Sequence, residues 1–323
     1  MKILYIISGF TGFKINDQKI LESLGRTTTI NYTKWWHYFN PKIINDVNQN
    51  DIIVIWFASS HAIPCILTNY FFNKPIYIIA GGFDVANVRN IGYGAMQKTP
   101  RKIIGRWILS KAKRIIAVSK SNKNEIMING KVYEKKITLI YNAIKINSYL
   151  VNKKKQILTV GEINEETILR KGLDRFLAIA KEFPKIEFIH IGKWTDKKGK
   201  PCDKTIKKIR KISPPNITFL GFVKKNILEQ YYFESMIYLQ LSRHEAFGLS
   251  IVEAMTYNCI PIVTNVFALP EIVGENGHII RNKNECIKSI KKILINYHVT
   301  KIHINPQFDI RYRKQQFRRL FAG

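Results

Sequence analysis

At 323 residues and 37.6 kDa the chain exceeds the roughly 100–200 residues of a typical domain, which favours two domains over one. Hydrophobic residues make up 46% and charged residues 23%, enough apolar side chain for two cores and too much for intrinsic disorder. Lys and Arg number 52 against 23 acids, a net charge of +29 that favours polyanions or anionic surfaces as neighbours.

The charge has no single seat. Residues 1–150 carry 21 bases and 7 acids, the remainder 31 and 16, so no basic tail explains the excess. Lysine supplies 38 of the bases in a chain rich in Ile and Asn, a bias that an AT-rich genome produces without any function. Cys65, Cys202, Cys259 and Cys286 are far apart and form no C-x-x-C pair, which argues against a zinc site or a disulfide framework and for a reducing compartment. No apolar run approaches the ~18 residues that span a bilayer, and the Met-Lys start leads straight into a strand-like segment. These features lead us to expect a cytoplasmic protein, soluble or peripheral at the inner face of a membrane.

Short Ile- and Val-rich runs alternate with longer amphipathic stretches, the signal for buried parallel strands joined by helices. The first half predicts strands at Ile3 to Ile7, Thr28 to Tyr32, Ile52 to Phe57, Ile76 to Ala80, Ile115 to Val118 and Ile137 to Tyr141. Gly9-Phe10-Thr11-Gly12 follows the first of these and reads either as a phosphate-facing turn or as a tight turn only. Ser59-Ser60-His61-Ala62 ends the third strand, and Ala80-Gly81-Gly82-Phe83-Asp84-Val85 ends the fourth. Residues 98–114 hold Lys98, Arg101, Lys102, Arg106, Lys111, Lys113 and Arg114 with no acid, and Ile104, Trp107 and Ile108 fall at helical spacing. Two readings are open: a cationic amphipathic helix on an anionic membrane, or an ordinary helix with its stripe in the core.

The polar stretch Asn147 to Gln156 reads as a linker, which places an N-terminal Rossmann-like domain at 1–150 and a second at 151–305. The second half repeats the pattern with strands at Ile157 to Val160, Glu187 to Ile191, Ile217 to Leu220, Ile237 to Leu241, Ile260 to Thr264 and His278 to Ile280. Residues 306–323 predict a basic C-terminal helix that packs back on the N-terminal domain. Two doubly wound α/β units place ligands at the carboxyl ends of their strands, here expected in a crevice between domains.

Chemistry concentrates in two segments of the second half. In Val160-Gly161-Glu162, followed by a loop to Arg170-Lys171-Gly172-Leu173, two cations stand at the expected start of a helix. The helix dipole disfavours cations there, and a bound diphosphate reverses the penalty; two solvated bases are the alternative. The run Ser242-Arg243-His244-Glu245-Ala246-Phe247-Gly248-Leu249-Ser250-Ile251-Val252-Glu253-Ala254-Met255 leads from a buried strand through a loop into a helix near Leu249. Gly248 permits close approach of the backbone, and the helix start aims free N–H groups at an anion. Glu245 and Glu253 can accept hydrogen bonds from hydroxyls on either side of a diphosphate, one on a sugar and one on a ribose. Glu253 also fits a capping box with Ser250, and Glu245 also fits a solvated loop.

Two glutamates with seven residues between them, the Phe247-Gly248-Leu249 turn and Glu253-Ala254-Met255 resemble the donor-site signature of retaining glycosyltransferase family 4, which has the GT-B fold. Asn258-Cys259-Ile260-Pro261-Ile262-Val263 and Leu269-Pro270-Glu271-Ile272-Val273 are similar to the strand and closing loop that follow it. The resemblance implies transfer of a sugar, with retention, from a nucleoside-diphosphate donor to an acceptor hydroxyl on a glycan, lipid or protein. It implies that Lys171, with Arg170, holds the diphosphate with help from the Phe247, Gly248 and Leu249 amides, that Glu245 holds the sugar and that Glu253 holds the ribose. The family commonly places arginine straight after the glycine that matches Gly161, where this chain has Glu162, so Arg170 is expected to substitute. Gly12 is expected on the donor side as well. Asp84 matches a subgroup with aspartate where others carry histidine near the reaction centre, and is expected either to orient the acceptor hydroxyl or to serve as a turn acid.

No Asp-x-Asp pair occurs, so no metal or other cofactor is expected, and the leaving diphosphate falls to Lys171, Arg170 and the amides. The alternative is a nucleic-acid-binding or DNA-modifying protein on the same scaffold. The net charge favours it, but no base-reading motif is present.

Overall fold

A computed structural model describes residues 1–147, 152–196, 199–296 and 302–323. The chain divides into two compact units, Met1–Lys145 with Pro306–Gly323, and Ile146–Asn305. In chain order the first unit contains β1 (Lys2–Ile7), α1 (Gly12–Glu22), β2 (Arg26–Asn31), α2 (Lys42–Gln49), β3 (Ile52–Trp56), α3 (Ile63–Asn69), β4 (Ile76–Ala80), α4 (Thr99–Ser110), β5 (Arg114–Ala117), α5 (Lys120–Ile128) and β6 (Ile137–Leu139). Its six strands form one parallel sheet in the order β2-β1-β3-β4-β5-β6. The inner strands are near-continuous Ile and Val because helices cover both faces of a parallel sheet.

On one face Leu4, Ile6, Ile53, Ile55 and Ile78 meet Val47 of α2, Ile66 of α3, Ile108 and Leu109 of α4 and Ile126 of α5. Burying each such side chain stabilises the fold by about 1.5–3 kcal/mol. The second unit contains β7 (Lys154–Val160), α6 (Thr167–Arg170), α7 (Leu173–Ala180), β8 (Glu187–Ile191), α8 (Asp203–Ile212), β9 (Ile217–Gly221), α9 (Lys225–Glu234), β10 (Ser235–Gln240), α10 (Leu249–Thr256), β11 (Ile260–Thr264), α11 (Leu269–Val273), β12 (His278–Ile280) and α12 (Lys283–Asn296). Its sheet is also parallel, in the order β12-β11-β10-β7-β8-β9. Successive strands therefore run outward from β7 in one direction and then from β10 in the other.

The last helix, α13 (Ile310–Ala322), belongs to the first unit. Its Phe321 ring meets Tyr77 on β4 at 4.8 Å. Arg313, one of the bases of that helix, is buried: it donates to both carboxylate oxygens of Asp17 on α1 at 2.6 and 2.7 Å and to the Ile140 and Tyr141 carbonyls at 2.9 and 2.6 Å. Trp56 Nε1 completes Asp17 at 2.9 Å.

All twelve strands occur where the apolar runs place them, with ends shifted by a few residues. The expected linker differs in part, since Lys154, Lys155 and Gln156 lie within β7 and residues 148–151 lie outside the described residues. Residues 98–114 divide between the two readings. Ile108 and Leu109 of α4 enter the core, whereas Ile103 is 61% and Ile104 37% exposed beside the bases.

Candidate active site

In the second unit the strand order reverses between β7 and β10, and in an open α/β sheet that switch point, at the carboxyl ends of the strands, is where ligands bind. The sequence delivers its chemistry there. β7 ends at Val160, so Gly161 opens the loop to α6, and β10 ends at Gln240, so the 242–248 loop faces it.

The two cations do not start a helix. Arg170 is the last residue of the four-residue α6, and Lys171 follows it as the C-cap. Gly172 then turns with φ +71°, close enough to β10 that a Cβ would run into the Leu241 carbonyl. This glycine lets the chain reverse against the strand end and start α7. Charges at a helix C-terminus are favoured when positive, so the dipole conflict expected for these residues does not arise.

Lys171 Nζ forms an ion pair with Glu245 Oε1. Ser242 Oγ and Gln240 Nε2 also donate to that oxygen, at 3.3 and 3.4 Å. Glu245 is 7% exposed, so it is not a solvated loop acid. Burial works to raise its pKa, but Lys171 and Arg170 outweigh burial and hold the carboxyl below its ordinary range. The Lys171 stem lies over Gly161, where an added Cβ would meet it at an ordinary contact distance of 3.8 Å.

A second clamp, absent from the sequence reading, fixes this geometry. Arg243 donates from Nη1 and Nη2 to Asp174 at 2.8 and 2.6 Å and from Nη1 to the Leu169 carbonyl at 2.7 Å, while its backbone N–H reaches the Arg170 carbonyl at 2.7 Å. A planar guanidinium suits such two-point pairing. The glutamate loop is thereby tied to the lysine loop. The Arg243–Asp174 spacing of 69 residues hides the pair from local pattern reading.

Gly248, with φ +99°, is the N-cap of α10, and a residue with a Cβ would be strained there. The first turn of any helix leaves amides without intrahelical partners, here at Leu249 and Ser250 after the buried Phe247. Ser250 does not form the capping box. Its hydroxyl takes the Tyr238 hydroxyl at 2.8 Å, while Glu253 Oε2 takes the Tyr232 hydroxyl at 3.1 Å. Burial raises the Glu253 carboxyl above its ordinary value. Past the ends of β8 and β9, Phe222 is 71% exposed with Lys193 Nζ 5.0 Å above its ring.

The first unit presents a different picture. Its strand order reverses between β1 and β3, and there Gly9 turns with φ +71° and gives its N–H to Asn31 Oδ1 at 2.7 Å. Gly12 opens α1 with free space over its Cα. Lys14, absent from the expected site, is 3% exposed and donates to the Gly9 carbonyl at 2.9 Å; burial pulls its pKa down to about 8.

Asp84 is fully buried and accepts the backbone N–H groups of Ala58, Gly81 and Gly82 at 2.9, 3.1 and 3.0 Å. Both oxygens are engaged in joining the loops after β3 and β4. Of the two expected roles, the arrangement fits the turn acid; burial lifts its pKa to about 6. His61 is 3% exposed with Nε2 on the Trp56 carbonyl at 2.7 Å, and burial lowers its pKa to about 4. It is therefore a neutral structural histidine.

Two six-stranded parallel sheets with flanking helices and a phosphate-suited switch point define a GT-B fold. Solved structures agree on that fold: an Anabaena HepE protein solved with UDP and glucose superposes with a TM-score of 0.79 at 15% identity, over 100% of this chain and 99% of that one. A lipopolysaccharide outer core galactosyltransferase, WaaB, in its apo form gives 0.69 at 15% identity, over 100% and 99%.

Within that fold the chain belongs to the glycosyl transferases group 1 family, whose model matches residues 120–304. An uncharacterized 41.2 kDa protein from the cps region of Klebsiella pneumoniae is 29% identical over 183 residues, 52% of this chain and 47% of that protein. A phosphatidylinositol N-acetylglucosaminyltransferase subunit of Schizosaccharomyces pombe is 24% identical over 175 residues, 52% and 37%. The matches span less than half the length of these curated relatives.

Proposed function

We propose that the protein is a retaining, metal-independent glycosyltransferase that moves a sugar from a nucleoside-diphosphate donor to an acceptor hydroxyl. The observation that carries this is the Lys171–Glu245 ion pair beside the α10 N-terminus, a cation, an anion and free amides converging on one switch point. In the structure each charge satisfies the other. A donor exchanges these partners: Lys171 turns to the diphosphate, and Glu245 accepts hydroxyls of the sugar. Arg170 and the amides of Gly248 and Leu249 share the phosphate charge, and Glu253, held by Tyr232, takes the ribose. Phe222 offers a face on which the base stacks.

In the reaction the bond from the anomeric carbon to the phosphate oxygen breaks while the acceptor oxygen attacks from the same face. The acceptor proton passes to the departing phosphate. Charge grows on that phosphate, and preorganised donors are worth most where charge develops. Gly161 and Gly12 contribute space rather than contacts. The first unit is proposed as the acceptor side, with Asp84 shaping its loops.

No helix among the described residues is long and apolar enough to cross a membrane. An anionic bilayer carrying a lipid-linked acceptor is the proposed neighbour of α4, where Ile103 and Ile104 project among Arg101 and Lys102. The exposed Tyr70 and Phe71 at the end of α3 extend this apolar surface, with Lys111 lying 5.1 Å over the Tyr70 ring.

Lys171→Ala and Glu245→Ala should each lower transfer from UDP-, GDP- or ADP-sugars by about a hundredfold to a thousandfold or more while circular dichroism stays unchanged. Wild-type turnover in both variants would sink the assignment.

A further inference from the structure

The second unit holds another cavity, of about 240 Å³, that the donor site does not use. It lies between α7 and α12, under the carboxyl ends of β10, β11 and β12. Ile179, Leu241 and Ile280 form apolar walls, and Arg175, Arg281 and Lys283 supply the cations.

The three cations differ in how they are occupied. Lys283 pairs with Glu182 at 2.7 Å. The nearby Glu285 carboxylate is taken by the Arg281 N–H and by Asn282 Nδ2 at 2.8 and 3.0 Å. Asp174, next to Arg175 in sequence, is held two-pronged by Arg243. Arg175 is left with a long 3.4 Å contact to the Leu241 carbonyl. Among the described residues neither Arg175 nor Arg281 has a carboxylate within ion-pair distance. Burial and the Arg243 charge pull Arg175 below its ordinary pKa, only partly offset by the Asp174 charge, and an anion in the cavity would relieve the remainder.

Two guanidinium groups that form no ion pair among the described residues, above apolar walls, suit a ligand with an anionic head and a carbon skeleton. The volume lies below the roughly 300 Å³ at which pockets for drug-sized molecules begin. A nucleoside-diphosphate sugar is too large. We propose that this cavity binds a small organic phosphate the size of a sugar monophosphate, with its phosphate on Arg175 and Arg281 and its skeleton against Ile179, Leu241 and Ile280.

Isothermal titration of the full chain with glucose 1-phosphate, and separately with inorganic phosphate, tests this. Wild type should bind glucose 1-phosphate at one site of this kind. Arg175→Ala and Arg281→Ala should each weaken it by about tenfold or more, as loss of a charge-assisted contact does. Ile179→Trp, which fills the cavity, should abolish it, and Lys171→Ala should leave it unchanged. Arg281 is exposed, so its variant tests binding without threatening the fold.

Three results would overturn the proposal: no binding at millimolar concentration, binding that survives Arg281→Ala and vanishes in Lys171→Ala, or inorganic phosphate binding as tightly as the sugar phosphate. The middle result places the ligand in the donor site. Failure here leaves the transfer assignment intact, because that rests on turnover in the Lys171 and Glu245 variants.

Discussion

The two units share an architecture but assemble their switch points from different kinds of sequence. In the second unit each functional group comes from a short segment: Gly161, Arg170 and Lys171 from one, Glu245, Gly248 and Glu253 from another. In the first unit the buried polar machinery joins residues from distant parts of the chain. Asp17 meets Arg313 across 296 positions, and Asp84 holds Ala58. Local motifs can be read one at a time, whereas such pairings exist only after folding.

The sharpest way to break this contrast is to remove the distant partner. Arg313→Ala leaves Asp17 buried and uncompensated and should cost about 3–5 kcal/mol, read as a lowered urea midpoint. Replacing both Asp17 and Arg313 with apolar residues should recover much of that loss. If Arg313→Ala unfolds no more easily than wild type, the last helix does not complete the first unit.

Asp84→Ala comes next, since it strands the buried N–H groups of Ala58 and Gly82 and the half-buried one of Gly81; about 1–3 kcal/mol of stability should go for each buried group. The loss should be much larger in stability than in the chemical step. A variant with full stability and no turnover would restore the catalytic role instead.

In the second unit, Glu253→Gln should raise the donor KM by about tenfold with little change in kcat, the signature of lost ribose binding. A drop in kcat at constant KM would move Glu253 from binding to chemistry.

A pH-dependent effect concerns Lys14. Its folded pKa, about 8 against 10.5, means the unfolded chain binds more protons between those values, so stability should rise with pH across that window by up to about 1.4 kcal/mol per unit. Lys14→Met should remove this contribution to the slope, as denaturant melts at pH 8 and 10 will tell. An identical slope in the variant would show that Lys14 keeps its proton when folded.

The difference between the units also explains what was legible beforehand. The strands were visible because a parallel sheet covered on both faces demands unbroken apolar runs, and Ile76 to Ala80 or Ile260 to Thr264 can hardly be anything else. Glu245, Gly248 and Lys171 stood out as candidates because residue type and spacing suit the roles proposed for them, and the structure brings Lys171 onto Glu245. The start assigned to the helix at Arg170 failed because Gly172 ends one short helix and begins another, a consequence of close approach to Leu241 that no propensity encodes. The capping box at Ser250 failed because Tyr238 and Tyr232, from neighbouring elements, claimed both partners.

By itself, then, the sequence determined the twelve strands and their parallel α/β class, since these depend on local periodicity and composition, and it singled out Lys171, Glu245 and Glu253 as candidates. Only the tertiary structure decided that Lys171 and Glu245 form one ion pair, that Arg243 locks their loops, that Asp84 is saturated by backbone amides, and that Arg313 is buried while Arg175 and Arg281 share a cavity. Charge and burial are properties of neighbours in space. A lysine-rich chain with a net charge of +29 shows how many bases it has, but folding decides which of them meet a carboxylate and which do not.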